Sequence, residues 1–196
     1  HNVVWNVKKP TLEYCHTYGF GTGIGADTGE KCIIANNFVG EIGNSFAIAC
    51  DLVQAPRIVN GRVGLCRDHK VLNNVIYNTA KRVLISRKEN NECDGNLYSC
   101  RGMQDDARSF LIQYPAPQAV LNLSAWQEHY GFDQHGGRAN FEAEFDRENL
   151  ILTLHVNEEI TCLGLPEKLP VGVLDDVGIG TMMIGKNVYK LNAGLM

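Results

Sequence analysis

The chain has 196 residues, of which 44% are hydrophobic and 20% are charged, and its formal net charge is −4. This composition excludes a disordered chain, which would be poorer in apolar residues and more highly charged. The acidic balance argues against a nucleic-acid partner, and no apolar run approaches the ~18 residues that a membrane-spanning helix needs.

Short runs of β-branched and aromatic residues alternate with turn residues along most of the chain, and they indicate an all-β protein. In chain order, strands are predicted at Asn2–Val7, Cys32–Val39, Ser45–Cys50, Arg57–Val63, Lys70–Tyr77, Arg82–Ser86, Asn140–Phe145, Leu150–Val156 and Gly178–Ile184. One helix is predicted over Leu121–Tyr130, with Ser124 as its N-cap residue.

Asparagines recur inside apolar runs, in His1–Asn6, Ile34–Val39 and Val71–Asn78. A second repeat places Gly23–Asp27 and Ala47–Asp51 at an offset of 24 residues. Short strands with a period in the low twenties favour a parallel β-helix, in which each coil stacks on the next and asparagine side chains form a ladder.

The repeat is imperfect in two places. From Asn2 to Asn37 is 35 residues, which predicts an insertion around Lys8–Phe20 in the first coil. Gly61 shares the 24-residue offset from Asn37, yet it lies only 13 residues before Asn74, which is too short for a coil. A β-sandwich with coincidental asparagine-rich turns is the alternative.

Four motifs resemble segments of right-handed parallel β-helix enzymes that act on carbohydrates. They follow one another in the usual order and cover most of residues 1–140: His1–Asn6, Arg67–Ile76, Cys93–Tyr98 and Leu123–Gly136. The chain is similar to the C-terminal part of such enzymes, which are generally longer. The resemblance therefore implies a C-terminal portion or a subunit, completed by missing N-terminal coils, a second chain or a homo-oligomer.

The resemblance also implies a division of the chain. Residues 1–137 would form a partial right-handed parallel β-helix of few coils, with a closing helix near 121–130. Residues 138–196 would form a small C-terminal β-strand region that packs on the end of the helix.

The segment from Asp27 to Pro56 resembles the β-xylosidase-like glycoside hydrolases. Their pattern has a nucleophilic Asp on one coil and a general-acid Glu one coil later, five residues before a Pro. Asp27 matches the nucleophile, and Asp51 matches the acid/base position, with Pro56 five residues on. Asp51 departs from the family pattern because it replaces Glu, and its carboxyl group reaches one methylene less far.

The spacing of the two aspartates suggests a chemistry. Positions one coil apart in a parallel β-helix are separated by ~4.8 Å, so the carboxyl groups would lie ~5 Å apart, as in a retaining glycosidase. Two such close carboxylates do not both ionise easily, and one pKa is expected to rise. Alternatively, Asp27 and Asp51 are turn residues, since Asp27 precedes Thr-Gly and Asp51 follows a strand.

Four further residues are candidates for binding a carbohydrate substrate. His16 and Tyr18 lie in the inserted segment, which is either a wall of the site or an ordinary surface loop. Gln54 and Arg57 flank Pro56 and are able to hydrogen-bond sugar hydroxyls. The resulting hypothesis is a glycosidase that acts by a two-carboxylate retaining mechanism. A non-catalytic carbohydrate-binding or assembly module is the first alternative, and a polysaccharide lyase or epimerase is the second.

The cysteines and histidines give no metal or cofactor signal. The seven cysteines are odd in number and contain no CxxC pair, which argues against a structural zinc site. We expect Cys32, Cys50 and Cys66 to pack as small buried apolar residues, and His69 to be structural. This cysteine usage favours a cytoplasmic location over a secreted one.

Overall fold

A computed structural model describes residues 2–7, 21–43, 45–52, 58–100, 108–148, 151–156, 183–185 and 188–192. Its single described helix is α1 (Leu123–Tyr130). The strands are β1 (Val3–Trp5), β2 (Ile24–Gly25), β3 (Ile33–Ala35), β4 (Phe38–Gly40), β5 (Phe46–Cys50), β6 (Ile58–Val59), β7 (Arg62–Val63), β8 (Lys70–Leu72), β9 (Val75–Tyr77), β10 (Lys81–Ile85), β11 (Glu92–Asp94), β12 (Leu97–Ser99), β13 (Phe110–Ile112), β14 (Ala119–Leu121), β15 (Gly137–Ala139), β16 (Phe141–Asp146), β17 (Ile151–Val156), β18 (Met183–Gly185) and β19 (Val188–Asn192). The all-β prediction is confirmed, and no described helix is long and apolar enough to cross a membrane.

Three parallel sheets organise the chain from β1 to β15. Sheet I has the strand order β1-β4-β9-β12-β15, sheet II has β2-β5-β10-β13 with β14 added antiparallel, and sheet III has β3-β8-β11. The chain passes through sheets II, III and I in that order and then repeats, so that each strand pairs with the equivalent strand of the previous circuit. The shortest circuit spans 22 residues, from Asn74 to Asn96.

Residues in the left-handed backbone region make the corners between the sheets. Their φ values lie between 46° and 67° at Lys31, Asp68, Asn90, Asn36, Asn73, Gly95, Asn6, Glu41 and Asn78. Asn and Gly adopt this conformation at the lowest cost, which explains why the apolar runs carry asparagines. The single strands predicted at Cys32–Val39 and Lys70–Tyr77 were wrong, because Asn36 and Asn73 break each into two.

Two other local predictions are corrected. The predicted strand Arg57–Val63 is the hairpin β6–β7, and Gly61 lies at its turn with a φ of 74°. The coil partner of Asn37 is therefore Asn74. The helix N-cap is Asn122, whose extended backbone lets its side chain accept a hydrogen bond from the Ala125 N–H, whereas Ser124 lies inside the helix.

The predicted asparagine ladder is present along the corner before sheet I. Asn2, Asn37, Asn74 and Asn96 each donate a side-chain amide hydrogen to the next member, over distances of 3.1, 2.9, 2.9 and 2.8 Å. The last acceptor is the carboxylate of Asp133, which also accepts from Tyr98, Trp126 and Cys93. Because buried polar groups are costly without partners, the ladder fixes the stacking order of the circuits.

Two apolar cores hold these sheets. The first lies inside the three sheets and includes Ile48, Ile76 and Trp126. The second lies between the outer face of sheet I and an antiparallel sheet of order β16-β17-β19-β18, where Phe38 and Tyr77 meet Phe141. Each fully buried large side chain of this kind contributes roughly 2 kcal/mol of transfer free energy.

Candidate functional site

The strand register brings Asp27 and Asp51 to matched positions. β2 pairs in parallel with β5, with Ile24 opposite Ile48. The ladder continues beyond the strands, since the Ala26 N–H donates to Ala49 O over 2.8 Å and the Thr28 N–H donates to Asp51 O over 2.9 Å. Adjacent parallel strands are ~4.8 Å apart, so the 24-residue repeat corresponds to one real circuit here.

The two aspartates differ in environment. The Asp27 side chain is exposed, and its Oδ1 accepts a 2.6 Å hydrogen bond from the Thr28 hydroxyl. Asp51 is half-buried. A carboxylate in solvent and one that is partly desolvated are the unequal pair that acid/base chemistry requires.

Gln113 reaches this region from two strands away. It follows β13, and its Oε1 accepts a 3.0 Å hydrogen bond from the Leu52 N–H, next to Asp51. The intervening position in β10 is Ser86, whose hydroxyl donates to Cys66 O and is fully buried. Sequence reasoning missed Gln113 because the three-residue strand β13 carries too little pattern to be predicted.

A group of thiols and one imidazole lies beneath the aspartates. Cys66 Sγ is 3.5 Å from His69 Nε2, and His69 Nδ1 accepts a 3.1 Å bond from the Cys32 N–H. Burial raises the pKa of Cys66 to about 11, with Asp51 and Asp27 adding to the rise. Burial also lowers the pKa of His69. The group is therefore uncharged at neutral pH, which agrees with a structural role for His69.

Two other carboxylates near the sequence motif have partners of their own. Glu30 Oε2 accepts from Arg62 over 3.2 Å, and its Oε1 lies 3.9 Å from Arg67. Glu41 Oε1 accepts a 2.8 Å bond from the Asn78 side chain. These interactions fix the hairpin and a corner, respectively.

The remaining predicted binding residues lie outside the described part of the chain: His16, Tyr18, Gln54 and Arg57. Among the described residues, no group of three or more His, Cys, Asp or Glu side chains is arranged to hold a metal ion. The cysteines that the structure describes are free thiols, at positions 32, 50, 66, 93 and 100.

Comparison with known proteins returns no relative. No family model matches the chain, and neither a curated protein nor a solved structure matches it. The functional assignment therefore depends on the geometry of the described residues and on the motifs that resemble β-helix enzymes.

Proposed function

We propose that the three parallel sheets form a right-handed parallel β-helix that carries a glycoside hydrolase site at Asp27 and Asp51. Three observations support the fold: the repeated sheet order, the left-handed corners and the asparagine ladder. The function is supported mainly by one observation, the β2–β5 register that sets Asp27 beside Asp51. The substrate class is a glycoside or an oligosaccharide.

The proposed mechanism is retaining, because matched positions on neighbouring strands bring carboxyl groups to roughly the 5 Å separation of that class. The Asp27 carboxylate attacks the anomeric carbon as the glycosidic C–O bond breaks, and the half-buried Asp51 protonates the leaving oxygen. In the second step, the ionised Asp51 takes a proton from water, and this water displaces Asp27 from the sugar.

A non-catalytic carbohydrate-binding module is the second candidate. It is favoured by the 2.6 Å bond from Thr28 to Asp27, since this bond is typical of an aspartate that stabilises a turn. A second chain or a second copy at the edge formed by β1, β2 and β3 belongs to either candidate. Each of these three strands pairs with one described strand, on one side.

Hydrolysis of a panel of aryl glycosides by the wild type, Asp27→Asn and Asp51→Asn tests the proposal. We expect Asp51→Asn to lower the rate by roughly 10²–10⁴-fold, as the loss of a general acid does, and Asp27→Asn to lower it further. Azide restores turnover of a glycine or alanine variant at either position, but with opposite stereochemistry of the glycosyl azide. An inverted azide from the Asp27 variant identifies the nucleophile.

Glu30→Gln is the matched control, because this carboxylate lies three residues from Asp27 and is engaged by arginines. We expect its hydrolysis rate to equal that of the wild type. Asp27→Asn with an unchanged rate would remove the nucleophile assignment. Binding of oligosaccharide without turnover in the wild type would support the non-catalytic module instead.

A further inference from the structure

A cleft of about 160 Å³ lies where sheet III ends, between β11 and the C-terminal end of α1. β11 is the last parallel strand of its sheet, and the segment after α1 crosses its outer edge, where the Asp133 N–H donates to Cys93 O. Lys88, Glu92 and Tyr130 are among the residues that line the cleft. It is separate from the Asp27–Asp51 pair.

The edge of β11 offers a main-chain donor to this cleft. In a parallel ladder, the N–H and C=O of one residue point to the same side. The Glu92 N–H donates to His69 O, and Asp94 O accepts from the Asn73 N–H, so both residues face β8. The N–H of Cys93 therefore points to the opposite side, together with the carbonyl that Asp133 contacts.

The side chains add acceptors, a cation and an apolar wall. Asp94 is buried and held by three bonds, from the Gly95 N–H, the His135 N–H and His135 Nδ1. Glu92 lies 3.6 Å from Lys70, so its charge is partly balanced. Lys88 is exposed, and the Tyr130 ring is half-buried and stacked parallel to Phe132, with an interplanar angle of 11°.

We propose that this cleft binds one neutral sugar ring, independently of the hydrolase site. A sugar hydroxyl both donates and accepts, which matches a carboxylate oxygen, an ammonium group and a main-chain N–H side by side. An aromatic ring at the edge covers the C–H face of a sugar. An anion would meet the two carboxylates, and a cation would meet Lys88, so neither charge sign is matched by the cleft as a whole.

Titration of the ¹⁵N-labelled full chain with D-xylose and D-glucose, followed by NMR, tests this site. We expect saturable shifts at the amides of Lys88, Cys93 and Gly131 with a millimolar dissociation constant. Tyr130→Ala and Lys88→Ala should each weaken binding about tenfold, which corresponds to the loss of one good contact. Tyr130→Phe keeps the ring and should bind nearly as the wild type does.

Lys31→Ala is the matched control, because Lys31 is an exposed lysine at a corner outside the cleft. Its dissociation constant should equal that of the wild type. Three results would overturn the proposal: no localised shifts with either sugar, equal shifts with methylammonium or acetate, or binding that Lys88→Ala and Tyr130→Ala leave unchanged. Sugar binding here without any glycosidase activity would leave this site standing and refute only the hydrolase.

Discussion

Asn74→Ala should be among the most destabilising single substitutions in this chain. The side chain is fully buried at the middle of the asparagine ladder. Its Nδ2 donates to Asn96 Oδ1 and to Ile34 O, each over 2.9 Å. Its Oδ1 accepts from the Asn37 N–H and from Asn37 Nδ2, over 3.0 and 2.9 Å.

The expected loss of stability follows from these four bonds. At roughly 1 kcal/mol net for each hydrogen bond, the substitution costs about 4 kcal/mol. The buried Asn37 N–H and Ile34 carbonyl also lose a partner, and this desolvation penalty makes the figure a lower bound. Asn2→Ala is the matched control, because Asn2 is exposed at the end of the ladder and loses one side-chain bond, or about 1 kcal/mol.

Urea unfolding followed by tryptophan fluorescence measures both free energies of unfolding. The reasoning requires Asn74→Ala to lose about 3 kcal/mol more than Asn2→Ala, with the same slope against urea. Equal losses in the two variants would refute the ladder as a source of stability.

Three further predictions concern buried polar groups. Asp133→Asn turns a donor amide toward Tyr98 and Trp126, and should cost about 3 kcal/mol in urea unfolding; unchanged stability would contradict this role. Burial lowers the pKa of His69, so the native state binds fewer protons than the unfolded state. The wild type should therefore lose stability as the pH falls below about 6.5, and His69→Gln should lose less; identical pH profiles would count against it. A thiol reagent should label the half-buried Cys32 in the native state but Cys50 only after unfolding, because burial holds Cys50 protonated and inaccessible; mass spectrometry that finds early Cys50 labelling would contradict the packing.

The sequence carried the repeat but concealed its corners. Asn37 and Asn74 were recognisable as ladder residues, since an amide inside an apolar run needs a polar partner. The breaks at Asn36 and Asn73 were hidden, because a left-handed residue turns the chain without interrupting the apolar pattern. The hairpin around Gly61 was taken for part of the repeat for the same reason.

Contacts between distant residues account for most of what the sequence did not reveal. Strands of three residues, such as β11 to β13, are too short to show a period of two. Asp133 caps the ladder only because the chain returns to Asn96 after α1. Gln113 joins the region of Asp51 through a bond across 61 residues. By contrast, the pairing of Asp27 with Asp51 was predictable, because it lies within the shortest stretch of exact sequence repeat.

Covalent trapping of the glycosyl–enzyme intermediate tests the proposed function most directly. A slow fluorosugar inactivator, chosen from the glycoside that the wild type hydrolyses fastest, is incubated with the full chain, and the labelled peptide is identified by mass spectrometry. The proposed mechanism predicts one sugar attached through an ester to Asp27, and no label in Asp27→Asn. A label on Asp51 or Glu30, or hydrolysis with no trapped intermediate and inversion at the anomeric carbon, would contradict it.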